Sequence, residues 1–248
     1  MSAQYHILNG DTLKDQFPEA IEGQILVVRE CLVDGDVTGD SLSVFFENRA
    51  RFIASNYPHI ETDYFQHVVP EFEKILKIPA GASVNFWFED DLFCQVNFWF
   101  VQHLLYQAGL QRNYFLVRPS VHTRFGFSGL SQTELLSIYQ HKLALRKEDV
   151  LASLWQFYQE NDHEELLATA RKLQEYYPFV LEAVNAHLER IPSGNNPGRP
   201  MQSLMKIMDE FAEREFGPIF QEFCERESIY GFGDLQVKKM YDHILANR

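Results

Sequence analysis

The sequence predicts an α/β N-terminal domain, with a mostly parallel sheet and Rossmann-like layers, followed by an all-helical C-terminal domain. In the first half, short apolar runs alternate with helical patterns, as in a parallel sheet with helices on its faces. The runs are continuously apolar, as expected of strands that are buried on both faces. Beyond the Pro-, Ser- and Gly-containing segment 118–129, one helical pattern follows another. We therefore expect domains at residues 1–120 and 128–248.

The elements of the first half are predicted from the apolar runs and from the helical spacing between them. Strands are expected at about residues 4–8, 24–28, 83–88 and 113–117. After Asp40, apolar residues recur at helical spacing, and Asp40 or Ser41 can cap that helix. A second helix is expected at about 61–77. A third begins at Asp90 or Asp91 and ends at Gly109.

The second half contains start and stop signals for helices but no convincing strand. Ser131 and Glu134 have the spacing of a capping box. Asp162 begins another helix, and Pro178 begins one that stops at Pro192. Further helices are expected at about 201–215, 218–228 and 234–246.

Composition and charge narrow the classes of function. The 22 basic and 35 acidic residues give a net charge of -13, which disfavours nucleic acid and anionic membranes as partners. No apolar stretch approaches the roughly 20 residues of a membrane helix, and the N-terminus lacks the pattern of a signal peptide. The three cysteines are far apart and suggest reduced thiols. We expect a cytoplasmic protein.

Acidic clusters stand where three predicted strands end. In an open α/β sheet, ligands bind in the crevice beyond the carboxyl ends of the strands. The spacing of Asp91 and Gln95 places both on one face of a helix, and an arginine of the helix after Asp40 could balance the acids. The ligand-binding candidates are Asn9, Gly10, Asp11, Glu30, Gly35, Arg49, Glu89, Asp90, Asp91 and Gln95.

Each candidate also has a purely structural interpretation. Asp11 and Asp91 stand where helix caps are expected, and Arg49 could be solvated. The segment from Glu30 to Asp36 could be a solvated acidic loop, because its spacing is not that of a calcium loop. Like charges gathered at residues 89–91 raise the pKa of at least one carboxyl group, which favours a ligand role there.

The sequence identifies no catalytic residue, cofactor or metal ligand. Thr12 follows Gly10 and Asp11, but no Asp-x-x-His pair lies near the C-terminus to complete a hydrolase triad. None of the nine histidines has the spacing of a metal site, and neither do the cysteines.

The chain resembles a bacterial family, domain-of-unknown-function family 1835. The opening strand with Gly10 and Asp11, the loop from Glu30 to Gly35, Arg49-Ala50 and the segment from Trp87 to Gln95 are similar to its motifs. The chain departs from the family at Gly198-Arg199-Pro200-Met201, where members often carry Gly-Leu-Ser-x-Thr-Glu. The resemblance implies the fold and the motif positions, and it implies no activity, substrate or cofactor.

Two hypotheses for function follow. In the first, the protein binds a small molecule at an acidic pocket beyond the strand ends, with or without catalysis. Asp11, Glu30 and Asp90 or Asp91 would then lie within roughly 10 Å of one another, because adjacent strands are about 4.8 Å apart, and Gln95 would point into the same crevice. In the second, the protein is a non-catalytic regulatory or interaction module that binds a protein partner through its helical half.

Overall fold

A five-stranded, mostly parallel sheet forms the centre of the N-terminal half. The computed structural model describes residues 2–57, 63–211 and 215–247. Strands β1 (Gln4–Asn9), β2 (Gln24–Val28), β3 (Ser83–Trp87) and β4 (Asn113–Val117) pair in parallel in the order β2-β1-β3-β4. This arrangement, with helices throughout the C-terminal half, confirms the predicted fold class.

The order of the strands creates a switch point between β1 and β3. The chain moves from β1 to β2 on one side and then crosses to place β3 on the other side of β1. The connections therefore diverge from the carboxyl ends of β1 and β3 and leave a crevice there, where ligands bind in open α/β sheets.

Apolar side chains cover both faces of the sheet. Ile7 and Phe86 point into the main core, whereas their neighbours Leu8 and Trp87 point into a smaller cluster on the opposite face. All four side chains are buried, as the continuously apolar runs predict.

Helices of the first half follow their local signals. The elements are α1 (Asp11–Asp15), α2 (Leu42–Asn56), α3 (Tyr64–His67), α4 (Val69–Leu76) and α5 (Leu92–Gln107). Ser41 caps α2 and Asp91 caps α5, because each side chain accepts a hydrogen bond from a backbone N–H of the first turn. Residues 61 and 62 of the second predicted helix lie outside the described residues.

One short strand was not predicted. After α6 (Gln132–Gln140), the strand β5 (Leu143–Ala144) pairs antiparallel with β4. The expectation of a strandless second half is therefore wrong at this position. Helix α6 also packs on the sheet, since Tyr139 stacks on Trp87 with ring centroids 5.9 Å apart.

The remaining helices form two groups. The first group, α7 (Glu148–Gln159), α8 (His163–Leu173) and α9 (Pro178–Glu189), shares the main core with α5. The second group, α10 (Arg199–Glu210), α11 (Phe216–Arg226) and α12 (Asp234–Ala246), surrounds its own apolar cluster. Residues 212–214 of the helix expected at 201–215 lie outside the described residues. Among those described, no helix has the length and apolar character to span a membrane.

Candidate functional site

A cavity of about 570 Å³ lies at the switch point of the sheet. On the side of the sheet, the polar side chains are those of Asn9 at the end of β1, Glu89 just after β3, and Asp91 and Cys94 at the start of α5. Residues 123–125, α11 and residues 227–232 close the other sides. The cavity thus lies between the strand ends and the second group of C-terminal helices.

Glu89 is held by the segment that follows β4. Its Oε1 accepts a hydrogen bond of 2.6 Å from the backbone N–H of Phe127. Gly126 approaches so closely that a Cβ atom there would lie 1.9 Å from the same oxygen. Burial, followed by the charge of Asp91, raises the pKa of Glu89 to about 7. Glu89 can therefore gain or lose a proton near neutral pH.

Asp91 is buried and makes two kinds of contact. Its Oδ1 accepts a hydrogen bond of 2.9 Å from the backbone N–H of Cys94, which caps α5. It also shares a side-chain hydrogen bond with Glu89. Burial raises the pKa of Asp91. The two acids therefore form a carboxyl pair that can share a proton.

Cys94 connects this pair to the end of β1. Asn9 donates a hydrogen bond of 2.9 Å through Nδ2 to the Cys94 sulfur, which lies 3.7 Å from Glu89 Oε2. Asn97, one turn further along α5, donates to Asn9 Oδ1 at 2.8 Å and fixes the orientation of that amide. Burial raises the pKa of the Cys94 thiol well above its usual value, so the thiol stays protonated.

The same three side chains could hold a metal ion. One potential ligand atom from each of Glu89, Asp91 and Cys94 lies within 4.8 Å of the other two. Among the described residues, no second group of three His, Cys, Asp or Glu side chains has this spacing. Two carboxylates and a thiolate would suit a borderline ion such as Zn²⁺, which binds both oxygen and sulfur. Binding would require loss of the protons that the pair and the thiol hold.

Five aromatic rings and several polar side chains, among them Thr123, Gln221, Glu227 and Ser228, form the other walls of the cavity. Arg124, which forms an ion pair of 3.1 Å with Glu225, contributes a cation to the lining. The phenylalanines of the lining are Phe93, Phe125, Phe220, Phe223 and Phe232. An apolar body between these rings could therefore direct a polar group towards Glu89 and Asp91.

Asp11 and Gly10 lie outside this cavity lining. The Asp11 carboxylate is bound by Arg29 through two hydrogen bonds of 2.6 and 2.7 Å, and this pairing lowers the pKa of Asp11. Gly10 adopts φ 89°, which favours glycine, and donates its N–H to the Val28 carbonyl. Both residues therefore have structural contacts at the β1–α1 turn.

Glu30, Gly35 and Arg49 organise the loop after β2. Arg49 and Glu30 form a fully buried ion pair of 2.8 Å, and Tyr64 donates a further hydrogen bond to Glu30. Gly35 adopts φ 81° against the ring of Phe52, where a Cβ atom would lie 2.3 Å from the ring carbons. The expectation that Asp11 and Glu30 share the crevice of Asp91 is corrected, because Arg29 and Arg49 hold these acids elsewhere.

Asp90 and Gln95 make structural contacts next to Glu89 and Asp91. Asp90 binds the guanidinium of Arg118, which also lies over the ring of Phe179 at 4.8 Å. Gln95 is fully buried and donates a hydrogen bond of 2.7 Å to the backbone carbonyl of Glu89. Neither side chain lines the cavity, so the expectation that Gln95 points into it is corrected.

Of the ten predicted residues, Asn9, Glu89 and Asp91 meet at the cavity. Neither the protein-family models nor the curated proteins searched gave a match to this chain. The resemblance to domain-of-unknown-function family 1835 stays a prediction.

Cys94 and the aromatic rings of the cavity were not among the predicted site residues. Cys94 stands three residues after Asp91 on a predicted helix, so its place beside the acids could have been derived from helical spacing. Apart from Phe93, the aromatic rings come from residues more than 30 and more than 120 positions further along the chain, for which the sequence offers no local signal.

Proposed function

We propose that this protein binds a small molecule in the cavity at the switch point and that the Glu89–Asp91 pair recognises its polar group. The observation that carries the proposal is the position of the pair, which lines a cavity of about 570 Å³ at the carboxyl ends of β1 and β3. That volume lies within the range of about 300–1,000 Å³ typical of ligand pockets.

The chemistry of the lining supports one class of ligand. A carboxyl pair with one shared proton can accept hydrogen bonds from an amine or a hydroxyl group, and it can also exchange a proton with it. The phenylalanine walls favour an apolar or aromatic body, which would also attract a cationic group through the ring faces. We therefore infer a ligand with an apolar body and a hydrogen-bond donor at one end.

A ligand screen by thermal unfolding tests the proposal. Aromatic and aliphatic amines, alcohols, nucleosides and divalent cations are compared on the wild type and on Glu89→Gln. A ligand at 100 times its Kd stabilises the native state by about 2.7 kcal/mol. For a chain of this size, that free energy corresponds to a rise in Tm of roughly 5–11 °C.

The variant Glu47→Gln provides the matched control, since Glu47 is exposed on α2 and lies outside the cavity. Ligands that raise the Tm of the wild type should raise that of Glu47→Gln equally and that of Glu89→Gln much less. The proposal is wrong if no compound changes the Tm, or if every active compound acts equally on all three proteins.

A further inference from the structure

A second, smaller cavity lies between the loop after β2 and the second group of helices. Its volume is about 280 Å³. Val33 and Asp34 line it from the loop, and Gln236 and Lys239 line it from α12. The rest of the lining consists of Arg190, Pro192, Pro197, Pro200, Met201, Phe232 and Met240.

Gln236 lines this cavity and carries an unsatisfied hydrogen-bond donor. Its Oε1 accepts a hydrogen bond of 2.8 Å from the backbone N–H of Gly233, which fixes the orientation of the amide. The Nε2 atom is buried and finds no hydrogen-bond partner within residues 2–57, 63–211 and 215–247. A buried donor without a partner destabilises the fold, and an acceptor supplied by a ligand would remove that cost.

The charged groups of the lining favour an anionic acceptor. Lys239 and Arg190 are cations, and Asp34 is the single acid among the lining residues. The Asp34 carboxylate already accepts a hydrogen bond of 2.5 Å from Tyr57. Lys239 pairs with Asp34 at 3.4 Å, contacts Asn56 at 3.3 Å and lies over the ring of Tyr57 at 4.8 Å. Both polar contacts are long, so a third N–H of its ammonium group can donate to a further acceptor.

Apolar groups complete the binding surface. Three prolines and two methionines line this cavity, together with one phenylalanine and one valine. Proline rings are rigid and methionine side chains adapt to irregular shapes, so such a lining suits a compact apolar group. The volume lies near the lower limit of about 300 Å³ for ligand pockets, which restricts the ligand to a small molecule.

We propose that this cavity is a binding site for a small carboxylic acid with an apolar body. The carboxylate would accept hydrogen bonds from Gln236 Nε2 and Lys239, with Arg190 adding positive charge, while the apolar body contacts the proline and methionine side chains. The proposal is independent of the ligand in the first cavity.

Titration with phenylacetate, followed through the backbone amide signals of Met201 and Met240 by NMR, tests this site. These two residues line the second cavity and not the first. We expect saturable shifts with phenylacetate, and at least tenfold weaker binding of the uncharged phenylacetamide. The absence of saturable shifts with phenylacetate, or equal binding of the two compounds, would overturn the proposal.

The variant Gln236→Glu changes the donor but keeps the helix cap. A glutamate at this position can still accept the Gly233 N–H through one carboxylate oxygen, as Gln236 Oε1 does. Its second oxygen replaces the buried donor with an acceptor. Phenylacetate binding should therefore fall at least tenfold in a protein that unfolds as the wild type does, whereas unchanged binding would contradict the site.

Two neighbouring lysines of α12 test whether binding depends on a charge at the cavity or on the overall charge of the protein. Lys239→Met should weaken phenylacetate binding at least fivefold. Lys238→Met removes the same charge from a neighbouring residue that pairs with Asp242 and does not line the cavity, so binding should stay unchanged. Equal losses in the two variants would show that the cavity does not recognise the carboxylate through Lys239.

Discussion

Replacement of Arg49 by methionine would remove the centre of a buried polar network. The side chains of Arg49 and Glu30 are fully buried, and their two hydrogen bonds measure 3.1 and 2.8 Å. The other N–H groups of Arg49 donate to backbone carbonyls of Cys31, Asp34 and Asp36 at 2.7–3.2 Å. One guanidinium group therefore determines the path of the loop after β2.

The expected loss follows from the charge that the substitution leaves behind. Removal of one partner of a buried ion pair costs about 3–5 kcal/mol, because the other charge stays buried without compensation. The carbonyl groups that lose their donors place the effect at the upper end of this range. For a chain of this size, a loss of about 3–5 kcal/mol lowers the Tm by roughly 6–20 °C.

Urea unfolding followed by circular dichroism measures this free energy. Arg51→Met is the matched control, since Arg51 is exposed on the same helix and its hydrogen bonds within the described residues go to Glu47 and Asn48. We expect the control to unfold within about 0.5 kcal/mol of the wild type. Arg49→Lys should lie between the two, because lysine keeps the charge but cannot form the bidentate contact.

The double variant Glu30→Gln with Arg49→Met removes both charges. Its loss of stability should be smaller than the sum of the two single losses, because no unpaired charge stays buried. If Arg49→Met unfolds within about 1 kcal/mol of the wild type, the pair does not stabilise the fold, and the interpretation of Glu30 and Arg49 as structural residues is wrong.

The strands and most of the helices could be predicted because their signals are local. The runs that form β1 to β4 are apolar at consecutive positions, and the side chains of Asp91 and Ser131 cap helices where the sequence places caps. The strand Leu143–Ala144 lacks such a signal, since both residues are exposed and the strand exists through its pairing with β4. Tertiary contacts determine that element.

The candidate site also combines residues that have a local sequence signal with contacts that only the tertiary structure determines. Glu89 and Asp91 could be identified because several acids follow one buried strand. The sequence could not show which acid would be neutralised, because Arg29, Arg49 and Arg118 come from different elements and pair with Asp11, Glu30 and Asp90. Glu89 and Asp91 are left at the cavity without an arginine partner among the described residues.

Two further predictions concern the acids at the cavity. Gly231→Ala should destabilise the protein by more than about 1–2 kcal/mol in urea unfolding, because Gly231 has φ 63° and a Cβ atom would lie 2.0 Å from Asp91 Oδ1. Gly81→Ala, which has a similar φ of 77° but open space around the position, should lose less stability, because only the backbone cost applies there. The pH dependence of stability tests the carboxyl pair. The pKa of Glu89 is raised to about 7 in the folded protein from 4.5, so the folded state binds the proton more tightly than the unfolded state. Stability should therefore fall as the pH rises from about 4.5 to 7, by on the order of 3 kcal/mol for the proton that the Glu89–Asp91 pair shares. Glu89→Gln keeps an oxygen for the Phe127 N–H and can donate to Asp91, so it should unfold at higher urea concentration than the wild type at pH 8. This advantage should shrink towards pH 5, where Glu89 of the wild type is protonated. Urea unfolding of both proteins at pH 5, 6, 7 and 8 measures this difference, with Glu47→Gln as the control that should retain the wild-type slope. If Glu89→Gln retains that slope as well, Glu89 does not hold the proton, and the acid–base part of the proposed ligand recognition fails with it.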